Sequence, residues 1–374
     1  MKLAAPLAAA LLLAIGMGFG RFAFTGLYPL MLADGLLSLQ SGSLAASANY
    51  AGYLLGALLL ARSGASEASR LCQWALGGTL LCLAALAWIE QPGLILLIRF
   101  TAGLFSAMAL VGASLWLLQA AGQPRQAPLL FAGVGLGILL SAELIASGHA
   151  AGLHSQALWL GLALAALLLG VPAWWQLRRQ PVPSKAGAGA EAATPDSLGP
   201  RRLVLIYGLA GFGYIITATY LPLLLQGSLG TIDPLQIWAA FGLGAIPSCF
   251  LWHAARQRLG TPRSLALNLL LQAAGVLLPV FSHAAWASLG SAILVGATFM
   301  GTVTIAMPAA QAWARQVRFN MPATMTAAYG LGQIAGPLLA AALYTRSHSF
   351  SPALLVAAAT LGSAALLCRS RPAT

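Results

Sequence analysis

The sequence predicts an all-α membrane protein with twelve transmembrane helices in two pseudo-symmetric six-helix bundles. Three observations predict it. First, of 374 residues only 19 are basic and 7 acidic, 7% charged in all, while 59% belong to the apolar set AVILMFWYC. A soluble domain carries about 25% charged residues, so this composition excludes a soluble globular protein, and its apolar content excludes a disordered one. The mean hydropathy of +0.84 agrees. Second, continuous apolar runs recur at about the 20 residues that a helix needs to cross ~30 Å of hydrocarbon. They do not alternate, which excludes a closed β-barrel. Third, the two halves of the chain repeat one another.

The runs fall at 5–32, 43–61, 71–89, 94–121, 127–149 and 155–177, then at 203–225, 235–255, 264–282, 285–312, 323–345 and 351–368. Gly, Pro, Ser or charge separates them, as at Gln91-Pro92-Gly93 and at Arg256–Arg263. The first run follows Met1-Lys2 like a signal peptide, but it continues to Leu32 and is too long for a cleaved apolar core of about 7–15 residues. We read it as a retained first helix.

Basic residues set the orientation. With the N-terminus inside, the inner segments hold Lys2, Arg62, Arg70, Arg125, Arg178, Arg179, Lys185, Arg201, Arg202, Arg256, Arg258, Arg263, Arg315, Arg318, Arg369 and Arg371. The outer loops hold only Arg346, and Arg21 and Arg99 lie within runs. This asymmetry places both termini of a multi-pass protein in the cytoplasm. The net charge of +12 is therefore membrane anchoring, and no nucleic-acid partner is expected.

The polar stretch 178–202 reads as a flexible cytoplasmic linker between an N-terminal bundle, 1–177, and a C-terminal bundle, 203–374. Gly18-Phe19-Gly20 matches Gly211-Phe212-Gly213 at an offset of 193, as do Pro29 with Pro222 and Gly103 with Gly296. Gly135 and Gly137 match Gly330 and Gly332 two residues further out. Parallel six-helix repeats are a transporter architecture, with substrate held between the halves.

Twelve spans, a central cytoplasmic loop and this repeat resemble the major facilitator superfamily over the whole chain. Span 4 carries Ile95-xxx-Arg99-xxx-Gly103, similar to that superfamily's span-4 arginine motif. Arg258-Leu259-Gly260 resembles its basic inner-loop motif, with Gln257 where an Asp is usual. After span 2, Gly56, Arg62 and Gly64 are present, but the acid of that motif is absent and the spacing differs by one. The strings GRFAFTGLYPLM, SANYAGYLLGALL, GYIITATYLPLL and GLGQIAGPLLA resemble the YbfB/YjiJ-type branch. The resemblance implies a place in the bacterial inner membrane, a cavity lined by spans 1, 4, 7 and 10, and a coupling role for Arg99.

Arg21 is the sharpest feature. It lies about 16 residues into span 1, roughly 24 Å deep at 1.5 Å per residue, where a charge is costly and marks a functional site. Thr25 and Tyr28 continue its face, and Tyr214 is its equivalent in the second half. A guanidinium there suits an anionic or carboxylate-bearing solute; the alternative is a structural arginine held by backbone carbonyls or by Glu143. Tyr329 and Gln333 share a face of span 11 with Thr326 and complete the expected substrate-binding set. Glu143, the acid deep within a span, is expected to couple protons by pairing with Arg21 or Arg99; the alternatives are a static ion pair or a group that snorkels outward. Arg99 couples protons or snorkels to the outer interface.

Cys72, Cys82, Cys249 and Cys368 form no CxxC pair and read as small core residues, and the five histidines are scattered, so neither a metal nor a cofactor is expected. No nucleotide-binding loop or hydrolase motif occurs. The sequence thus predicts a monomeric secondary active transporter in a lipid bilayer. It would move a small-molecule substrate by alternating access, coupled to protons, and would not be an enzyme. A channel lacks its continuous polar stripe, and an intramembrane enzyme lacks its clustered His, Asp and Glu.

Overall fold

A computed structural model describes residues 3–179, 198–224, 233–282, 284–313, 316–317 and 321–369. Lys2, Lys185, His283, Arg315, Arg318, Arg371 and residues 180–197 of the expected linker lie outside the described residues. Within them every regular element is helical. We number the helices α1 (Ala4–Ala33), α2 (Leu39–Leu59), α3 (Ala68–Leu86), α4 (Pro92–Ala120), α5 (Ala127–Ala150) and α6 (Ser155–Leu177). The remainder are α7 (Pro200–Leu224), α8 (Pro234–Phe281), α9 (Ala285–Trp313), α10 (Met321–Ser347) and α11 (Ser351–Leu367).

Among the described residues nine helices, α1 and α3 to α10, are long and apolar enough to cross a membrane. Helix α2 carries Ser41, Ser43, Ser47 and Asn49 and is less apolar, and α11 is shorter. Large apolar side chains such as Phe281, 79% exposed, face outward all round the molecule. Such a belt marks a surface that meets lipid.

Eleven helices stand where twelve runs are expected, because the runs at 235–255 and 264–282 join without a loop. Gly260 alone breaks the helical path of α8, with φ 75° and ψ 169°. Positive φ is open to glycine at no steric cost, so the chain turns there within one residue. Gly244 and Gly275, on either side of the break, both press on α9 between Ile293 and Ala297, so the two arms of α8 lie side by side against it.

Helix α1 is not uniform. Residues Ala14–Phe22 are wound as a π-helix, a form that is rare and concentrated at functional sites. Three glycines in this stretch, Gly16, Gly18 and Gly20, let neighbouring helices approach it. A Cβ on Gly18 would lie 2.4 Å from the Cα of Gly137 on α5. The equivalent contact recurs in the second half, where a Cβ on Gly332 of α10 would lie 2.5 Å from the Gly208 carbonyl oxygen on α7 and 2.6 Å from the Phe212 nitrogen. Likewise Gly103 of α4 presses on the backbone of Asn49 on α2, and Gly296 of α9 on that of Phe241 on α8. The glycines that match in sequence therefore make matching contacts in space.

Helices α1 to α6 pack mainly on one another, as do α7 to α11, and the two sets meet where α5 crosses α8 and α2 crosses α10. Gly103 sets the spacing of α2 and α4, since a Cβ there would lie 1.9 Å from the Asn49 carbonyl oxygen. Gly103→Ala should lower the melting temperature of the purified protein, by the equivalent of about 1–3 kcal/mol of overpacking. Gly161→Ala on α6, where a Cβ meets nothing within 4 Å, should leave it unchanged or higher.

Candidate functional site

A cavity of about 380 Å³ lies between the two sets of helices. It runs from Arg21 on α1 to the exposed Gln119 at the end of α4, passing Ser63 after α2 and Pro322 at the start of α10. Arg21 forms the roof at the closed end. It is 3% exposed. Its Nη2 donates to Oε1 of Gln333 at 2.7 Å, and Nε2 of Gln333 in turn donates to the Tyr214 hydroxyl. The guanidinium carbon lies 4.1 Å from the ring centre of Tyr53, 5.0 Å from that of Tyr50 and 5.2 Å from that of Phe22. These distances are within cation–π reach. Its Nε has no hydrogen-bond partner.

Among the described residues no carboxylate balances this charge. Among the described residues the only pair between a carboxylate and a basic side chain is Asp34 with His154, at 3.0 Å beyond the end of α1. Burial raises the Asp34 carboxyl, but the bonds from Ser155 and His154 outweigh it and hold that group below its ordinary value. Arg21 is the one charged residue on the described cavity wall. Below it one side is aromatic: Tyr207 and Tyr329 have ring centres 4.5 Å apart, and Tyr214 and Phe299 stack at 5.5 Å. Met300, Val303, Met307, Leu110 and Val111 give the lower wall its apolar surface, with the uncharged Ser63, Ser114, Gln119 and Thr326 towards the opening.

Four of the expected substrate residues, Arg21, Tyr214, Tyr329 and Gln333, meet at this cavity. Thr25 and Tyr28 do not line it. They lie above Arg21: Thr25 donates across to the Ala218 carbonyl of α7 at 2.8 Å, and Tyr28 donates within its own set to the Leu39 carbonyl of α2 at 2.6 Å. The helical spacing of Arg21, Thr25 and Tyr28 identifies the shared face correctly, but not the level at which the cavity ends. Around them hydroxyls stitch the closed end. Ser43 meets the Tyr220 hydroxyl at 2.7 Å, Tyr220 donates to the Pro337 carbonyl at 2.9 Å, Tyr50 meets Thr219 at 3.0 Å and Ser47 donates to the Ile334 carbonyl at 3.1 Å.

Glu143 pairs with neither arginine. The inward face of α5 carries Ser141, Ala142, Ile145 and Ala146, and at 100° per residue Glu143 is turned away from it. Its side chain is exposed and accepts from Gln236 of α8 at 3.4 Å. Arg99 does not snorkel: it is 1% exposed and meets no acid. Its Nη1 donates to the Gly20 carbonyl at 3.0 Å and its Nη2 to the Arg21 carbonyl at 3.1 Å, with Phe24 4.4 Å below the guanidinium. Arg99 thus clamps the end of the π-helical stretch that presents Arg21. The sequence reading missed Tyr207 and Phe299. Each is one aromatic residue in an apolar run, with no mark that distinguishes it.

A model of the family described as "Uncharacterised MFS-type transporter YbfB" matches residues 13–369. This is nearly the whole chain, with an all-helical fold and a polar-roofed cavity between helices, and it defines the class: a multi-pass membrane transporter of the major facilitator superfamily, which carries small molecules and is not an enzyme. The chain belongs to the YbfB-type family of that superfamily. No curated protein matches it.

The clamp predicts the behaviour of Arg99 variants. Arg99→Leu removes both donors from the Gly20 and Arg21 carbonyls and should cost about 1–3 kcal/mol of stability. Arg99→Lys, which lacks the planar fork, should fall between it and wild type. Melting temperatures of the purified variants measure this, and an unchanged value for Arg99→Leu would remove the clamp.

Proposed function

We propose that the chain is a secondary active transporter that moves a small anionic solute through this cavity by alternating access. The carrying observation is Arg21: a buried guanidinium with an unpartnered Nε and no carboxylate beside it. An isolated buried charge is costly, and an anionic solute with two oxygens supplies the missing partner.

We read the architecture as twelve membrane helices in two six-helix bundles, 1–177 and 203–374, joined by a cytoplasmic segment at 178–202. The bend of α8 at Gly260 supplies the twelfth helix, and the recurring glycine contacts support the two-fold relation. The excess of basic residues at the open end supports cytoplasmic termini, and membership of the YbfB-type family supports the bacterial inner membrane. The cavity then faces inward. The hydroxyl bonds above Arg21 form the outer gate. Each is a neutral bond with a net worth of about 0.5–1.5 kcal/mol, so the gate can open without separating buried ions.

Proton coupling in this reading falls to Glu143, not to Arg99. An arginine stays protonated at any physiological pH. Glu143 is the one acid within a described long helix, and its bond to Gln236 lies where α5 meets α8, between the bundles. Protonation weakens its acceptor role there and alters a contact that must shift as the halves rock.

Flux into proteoliposomes tests both parts. Radiolabelled acetate, benzoate and succinate are compared with benzamide, each above the leak of protein-free vesicles. At least one anion should move and benzamide should not; movement of benzamide alone contradicts the anionic reading. With that anion, Glu143→Gln should lose accumulation driven by a proton gradient yet keep counterflow exchange. Unchanged accumulation removes Glu143 from coupling and leaves the anion site standing.

A further inference from the structure

We infer that the substrate is a monoanion with a compact apolar body, bound with its carboxylate at Arg21 and its body among Phe299, Met300, Val303 and Met307. The inference rests on the anionic reading above and narrows it.

Two observations carry it. The first is the charge count. Arg21 is the one charged residue on the described wall, and the second buried arginine, Arg99, is spent on the carbonyls of Gly20 and Arg21 and does not face the cavity. One guanidinium balances one carboxylate. A second negative charge on the solute would meet no second cation on the described wall, a cost that a buried ion does not recover without a charged partner. The second is the shape of the polarity. The polar groups around Arg21 are Gln333, Tyr214, Tyr329 and Tyr53, while Ser63, Ser114, Gln119 and Thr326 lie towards the opening and carry no charge. Below the roof Phe299 presents a ring that is already stacked on Tyr214, and the methionines Met300 and Met307 supply adaptable apolar surface. Ligand pockets span about 300–1,000 Å³, and this one lies near the lower limit, so the body is small.

Gln333 indicates how the carboxylate enters. Its amide oxygen holds Nη2 of Arg21 at 2.7 Å, the place that a carboxylate oxygen would take. The solute therefore replaces one neutral acceptor with a charged one, a stronger bond to the same donor. The displaced amide keeps its contact with Tyr214.

The test is calorimetric binding to the purified full-length protein with four probes. Benzoate has one charge and an apolar ring, acetate has the charge without the ring, benzamide has the ring without the charge, and terephthalate has the ring with two charges. Benzoate should bind roughly tenfold or more tightly than each of the other three. Acetate or terephthalate equal to benzoate would overturn the monoanionic apolar class while leaving an anion site in place. Benzamide equal to benzoate would overturn both this inference and the anionic reading. No heat from benzoate at millimolar concentration would overturn the inference as well.

Discussion

The structure turns on one unbalanced charge. Arg21 sits 3% exposed between two sets of helices, among three aromatic rings, and bonded to an amide where a carboxylate would be expected. Everything around it either holds it in place or closes the space beyond it. Arg99 grips the backbone on which it stands, and Gly18 against Gly137 brings α5 close to the same π-helical turn. A π-helical stretch has non-standard hydrogen bonding, and donors from a neighbouring helix satisfy carbonyls in it. The second arginine is thus a structural requirement of the first.

The roof also divides the molecule into two regimes. Below Arg21 the helices part and the described surface is uncharged, mostly aromatic and apolar. Above it they meet through hydroxyl-to-carbonyl and hydroxyl-to-hydroxyl bonds from Thr25, Tyr50, Ser43, Tyr220 and Ser47. None of these bonds involves an ion. A gate made of many modest neutral bonds is strong when all are formed and can part in steps, whereas a buried ion pair costs several kcal/mol to separate.

Much of this was legible in the sequence, for physical reasons. Scarce charge and long apolar runs are properties of composition, and the bilayer enforces them along the whole chain. Arg21 stood out because a charge inside such a run has no inexpensive explanation, and the repeat offset pointed from it to Tyr214. Tyr329 and Gln333 followed from sharing one face. What helical spacing cannot supply is the level at which two bundles touch, and so Thr25 and Tyr28 were assigned to the cavity when they close its roof. The outward turn of Glu143 depends on how α5 is rotated against its neighbours, which one helix does not encode. The turn at Gly260 was read as a loop because a single glycine reverses the chain where an entire charged segment, Arg256–Arg263, was available to do so.

The central claim is that Arg21 supplies the charge that binds the solute. Its most direct test is the affinity of purified Arg21→Gln and Arg21→Lys for whichever anion the wild-type protein binds, measured with their melting temperatures. The account predicts that both variants fold, that Arg21→Lys binds markedly more weakly because the planar fork is lost, and that Arg21→Gln loses binding by roughly a hundredfold, the upper range for a charged hydrogen bond. Wild-type affinity in folded Arg21→Gln would contradict it and would make Arg21 a structural residue.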